Sequence, residues 1–86
     1  MNSVELLAES IVAARSVGFE IREEWLAGAG GGACVVRGRK ILFLDLSVPP
    51  RERLDQAIDA LRSEPTLAID DLSAALARVL QIKKAA

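Results

Sequence analysis

Histidine and tyrosine are absent from this chain of 86 residues, and cysteine occurs once, as Cys34. Without histidine there is no Ser-His-Asp or Cys-His nucleophile system, no His-ligated zinc and no imidazole general base. A lone thiol forms neither an intrachain disulfide nor a CxxC metal or redox pair. Aromatic residues are limited to Phe19, Trp25 and Phe43, too few for a platform that stacks nucleobases. Charge of one sign is missing as well. Eleven basic and twelve acidic residues leave a formal net charge of −1, and the two signs interleave along the chain except at the short Lys83-Lys84 tail. Phosphate contacts supply most nucleic-acid affinity and need a basic patch, so no nucleic-acid partner is expected. Apolar runs stop at four residues, as at Ile41–Leu44, far from the ~20 that cross a bilayer. The start Met1-Asn2-Ser3-Val4-Glu5 has no positive n-region. The expectation is a single-domain, cytoplasmic, non-enzymatic protein with no cofactor, no metal and no membrane association.

What is present is a hydrophobic content of 51%, enough for one core at this size and not for two. Asn2 stands three residues before Glu5, a capping spacing. Val4, Leu7, Ile11 and Ala14 follow on one helical stripe, widened by Leu6, Ala8 and Val12. Gly18 suits the position just past a helix end, so a first helix spans about 3–17. The period then changes to two. Phe19, Ile21, Glu23 and Trp25 alternate with Glu20, Arg22, Glu24 and Leu26, which reads as a half-buried strand with Glu23 anomalous on its inner face. Glycine-rich sequence at 28–32 ends it. Ala33–Val36 and Lys40–Leu46 flank Arg37-Gly38-Arg39, the pattern of a tight hairpin with Gly38 at positive φ. The second arm is apolar on both faces and should be a central strand. Pro49-Pro50 opens a helix over about 50–63 with Leu54, Ala57, Ile58 and Leu61 facing inward. Asp70 is positioned to cap a third helix over about 71–82. The expected fold is α+β in the order α-β-β-β-α-α, with a three-stranded antiparallel meander carrying helices on one face.

Gly31-Gly32-Ala33-Cys34, the short hairpin at Gly38, the strand ending in Asp45 and the leucine-bearing helix with Arg53-Leu54 and Ala60-Leu61 resemble a family of small uncharacterised bacterial α+β proteins. The resemblance implies that fold and carries no activity, so no site residue transfers through it. There is also an architectural similarity to small zinc metallopeptidases, in which a hairpin strand leads into a His-Glu-x-x-His helix. Here that helix reads Leu54-Asp55-Gln56-Ala57-Ile58-Asp59, with both ligand positions lacking histidine. A degenerate relative without catalytic residues is the most this similarity implies.

The candidate ligand-binding residues are Gly28, Gly30, Gly31, Gly32, Cys34 and Asp45. Successive N–H groups in a glycine-rich turn can cradle an anion. The bland reading is a mobile loop that folding does not require. Cys34, set among Ala33, Val35 and Val36, reads as a small buried hydrophobe. Asp45 could be a catalytic or metal-binding carboxylate, alone or with Glu20, Glu23 and Glu24, but an aspartate at a strand end more often binds nearby backbone N–H groups. The leading functional expectation is an interaction or oligomerisation module, a homodimer or a partner of another protein. Its warrant is a sheet face left uncovered by helices on one side only. The expected contact is face on face, with edge pairing through the Trp25 strand second. The alternative is a small-ligand or anion-binding protein using the loop Gly28–Gly32.

Overall fold

The computed structural model describes residues 2–85, with side chains described through 81. The elements are α1 (Ser3–Ser16), β1 (Glu20–Glu24), β2 (Gly32–Val36), β3 (Arg39–Asp45), α2 (Pro50–Arg62), a 3-10 turn (Ile69–Asp71) and α3 (Ala74–Ala85). The α+β class and the element order therefore stand as expected. No helix among the described residues is long and apolar enough to cross a membrane.

The sheet departs from the expected antiparallel meander. Its spatial order is β1-β3-β2, and it is mixed. β2 pairs antiparallel with β3, from Val36 opposite Arg39 to Gly32 opposite Phe43. β1 pairs parallel with β3, from Glu20 opposite Ile41 to Glu24 opposite Asp45. The physical reason lies in composition. β3 is the longest strand and sets the large residues Ile41 and Phe43 on one face and Leu42 and Leu44 on the other, so it takes the middle, while the charged β1 and the short β2 of small residues become edges. The connections then follow. Arg37 and Gly38 both have positive φ, at 52° and 79°, as a two-residue type I′ hairpin requires. Residues 25–31 span two strand spacings, about 10 Å, by passing over the C-terminal end of β3.

Leu42 and Leu44 of β3 face the helices and are almost fully buried, with Ile58, Leu61 and Leu76 around them. Ile21 of β1 packs on the same core. α1 begins as expected, with Asn2 Oδ1 accepting from the Glu5 N–H at 2.9 Å. Its buried side is Leu6, Leu7, Ser10, Ala13 and Ala14, so the stripe is rotated from the expected one, and Val4 and Val12 are exposed. Ser10 is tolerated inside because its hydroxyl donates to the Leu6 carbonyl one turn back. α3 starts three residues later than expected. The cap is Ser73, not Asp70: Ser73 Oγ accepts from the Leu76 N–H at 3.2 Å. Glu9 of α1 fixes this start by accepting from the Ser73 N–H at 2.7 Å. Glu23 is exposed on edge strand β1, which removes its anomaly.

Candidate functional site

The crossing segment and the strand end beneath it form one hydrogen-bonded unit. Asp45 terminates β3 and is completely buried. Its Oδ1 accepts from the Leu26 N–H at 3.0 Å and from the Ser47 N–H at 2.9 Å, and its Oδ2 accepts from the Gly28 N–H at 2.9 Å. The Ser47 hydroxyl adds a fourth bond at 2.6 Å. Burial by itself would raise the Asp45 pKa, but these four donors together outweigh it. The hydroxyl and N–H of Ser47 and the N–H groups of Leu26 and Gly28 hold the pKa down at about 2. On the main-chain side, the Asp45 N–H donates to Gln56 Oε1 of α2 at 3.2 Å. The carboxylate thus ties the crossing segment to β3, and Gln56 ties the same residue to the helix layer.

The glycines at 28–32 divide into distinct roles. Gly28, Gly30 and Gly32 adopt positive φ, at 77°, 115° and 126°, a region that penalises a β-carbon. Gly31 is needed for space. A β-carbon there would lie 2.6 Å from the Phe43 carbonyl oxygen and closer still to the Gln56 side chain. A side chain at any of these four positions therefore meets backbone strain or a steric clash. Two of the segment's backbone donors, at Leu26 and Gly28, already hold an internal anion, the Asp45 carboxylate. Gly30 has open space around it. Cys34 lies on β2, apart from this unit and exposed, which corrects the expectation of a buried thiol. Glu24 lies opposite Asp45 in the β1–β3 register, but no group of three potential metal ligands that could hold an ion occurs among the described residues.

The sheet face away from the helices is less bare than expected. Phe43 is half-buried, with the Arg22 guanidinium 6.0 Å from its ring centre. Arg22 pairs with Glu20 and Glu24, at 3.5 and 3.1 Å, and Arg39 reaches Glu20 at 2.6 Å. Charged side chains therefore lie along β1 and the start of β3. At the sheet's lower end Lys40 donates to Glu64 at 2.8 Å and to the Val17 carbonyl, with its ammonium 4.8 Å from the Phe19 ring centre. The Lys40 hydrogen bond, followed by that of Thr66, lowers the Glu64 pKa.

The opposite edge differs in kind. Ala33, Cys34, Val35 and Val36 of β2 are all exposed, Val35 at 68% and Val36 at 46%. Sequence alone did not separate this strand from a buried one, because four small apolar residues beside a glycine loop fit both. The Asp45 unit was more legible, since Asp45-Leu46-Ser47 is the spacing at which an aspartate bonds the backbone two residues on. A further concavity of about 320 Å³ lies between the end of α2, the 63–69 segment and α3, lined mainly by Leu61, Leu67, Ile69 and Leu80. No family model, curated protein or solved structure matches this chain, so the resemblance to small bacterial α+β proteins brings no residue role to any of these places.

Proposed function

We propose that this protein is a non-enzymatic self-association module acting in the cytoplasm, and that its contact surface is the free edge of β2. The observation that carries the reading is the run of four consecutive exposed, uncharged residues Ala33–Val36 on an edge strand. Unpaired strand edges template pairing with another chain, and folded monomers blunt them with charge, proline or cover. β1, the other edge, carries Glu20, Arg22, Glu23 and Glu24. β2 carries no charge. The same sheet therefore guards one edge and leaves the other open, which favours the β2 edge over both the sheet face and the Trp25 strand as the contact. Anion binding by the glycine loop is the lesser reading, because its Leu26 and Gly28 donors are engaged internally. Sedimentation equilibrium of the full chain tests the proposal. The expected result is a mass rising above 9.2 kDa with concentration, through a dissociation constant of about 1 μM, which corresponds to about −8 kcal/mol. A 9.2 kDa species at every concentration up to ~100 μM, two decades above that constant, would remove the reading.

A further inference from the structure

We infer that two copies join by antiparallel pairing of β2 with β2, about a two-fold axis that passes beside Cys34, giving a continuous six-stranded sheet. The inference rests on the self-association reading and specifies its register.

The backbone decides which groups are free. In a two-residue hairpin the closing pair, here Val36 and Arg39, is hydrogen-bonded, and bonded pairs then alternate along the ladder. Val36, Cys34 and Gly32 thus turn their N–H and C=O groups toward β3. Ala33 and Val35 turn theirs outward. The usable edge is short, because Gly31 is pinned against Phe43 and Gln56 and Arg37 enters the turn at positive φ. Among antiparallel registers of Gly32–Val36 on itself, the one centred on Cys34 overlaps all five residues. It also sets Ala33 opposite the partner copy's Val35, so that all the outward donors and acceptors are satisfied.

Side chains agree with this register. Ala33 meets Val35 on the helix side and Gly32 meets Val36 on the other, so each large residue faces a small one. Nothing in Gly32–Val36 is charged, so no like charges oppose one another across the axis. The two-fold axis stands perpendicular to the sheet and sets both helix layers on the same side of it. Cys34 and its symmetry mate form the central non-hydrogen-bonded pair, where Cα atoms approach to about 4.5 Å.

A charge exchange at position 34 reads this register. Cys34 is exposed, so Cys34→Asp and Cys34→Lys should each fold as the wild type does, with matching circular dichroism and melting, and Cys34→Ser serves as the neutral control. Each charged variant alone places like charges in direct opposition and should weaken the dimer by about tenfold or more in sedimentation equilibrium. An equimolar mixture of the two should recover association to near the Cys34→Ser level. If the wild type dimerises and the charged variants dimerise as well as Cys34→Ser, this register is wrong while self-association stands. The register is equally wrong if both weaken and mixing restores nothing. If the wild type is monomeric, both the register and the self-association reading fall.

Discussion

Asp45 and Gly31 show how far single positions constrain this protein. The Asp45 carboxyl sits at about 2 in the folded chain against an ordinary 3.8. Because the folded value is depressed, folding favours the ionised form. That contribution is complete above about pH 4 and disappears as pH falls through about 2. Glu64, also lowered by its Lys40 hydrogen bond, acts in the same direction. Urea unfolding followed between about pH 5 and pH 2 should therefore show stability falling toward acid, and Asp45→Asn should flatten that slope while lowering stability near neutrality. Asparagine retains an acceptor for Leu26 and Ser47 but turns an NH2 group toward the Gly28 N–H, so Asp45→Ala should be the more damaging change. Its melting temperature should fall by roughly 8 °C or more. Gly31→Ala should cost about 2 kcal/mol by chemical denaturation, since overpacking costs ~1–3 kcal/mol. Adding Gln56→Ala should recover only part of this, because the Phe43 carbonyl is main chain and remains 2.6 Å from the new carbon.

The helices were more legible as elements than their faces were. α2 was readable in both extent and orientation, because Leu54, Ala57, Ile58 and Leu61 stand against charged residues and leave only one way to bury the helix. α1 is alanine- and valine-rich on several sides, so its apolar stripe is too broad to fix a rotation. Packing against α2 chose Leu6, Leu7, Ala13 and Ala14 and left Val4 and Val12 outside. α3 was displaced for a different reason: its start depends on Glu9, sixty-four positions away from Ser73, which local pattern cannot register. Truncation distinguishes the two sides of this layer. Ile58→Ala should destabilise by about 3 kcal/mol, the usual scale for removing a fully buried aliphatic side chain. Val12→Ala should stay within about 0.5 kcal/mol of wild type, because Val12 is 64% exposed and alanine gains helix propensity. Urea denaturation of both variants measures the contrast.

At the level of the whole molecule, the class and element order could be read from periodicity, but strand order could not be read from adjacency. Neighbours in sequence usually pair, and β1 and β2 do not, because β3, the strand with large apolar residues on both faces, lies between them. The candidate contact edge followed from that arrangement and from exposures that only tertiary structure defines. The crossing of residues 25–31 above β3 also sets a sequence of events in time. The β2–β3 hairpin closes through a two-residue turn and needs no other part of the chain. The crossing segment cannot be fastened until β3 is in place, since its anchor is the last residue of that strand. Short loops close before long ones are rewarded, so the hairpin is expected in the folding nucleus and the Asp45 bonds are expected to form after the barrier. In stopped-flow measurements Asp45→Asn should accordingly accelerate unfolding and leave the refolding rate almost unchanged. The Asp45 fastening would then act as a latch, governing how long the native chain persists and not how quickly it is reached.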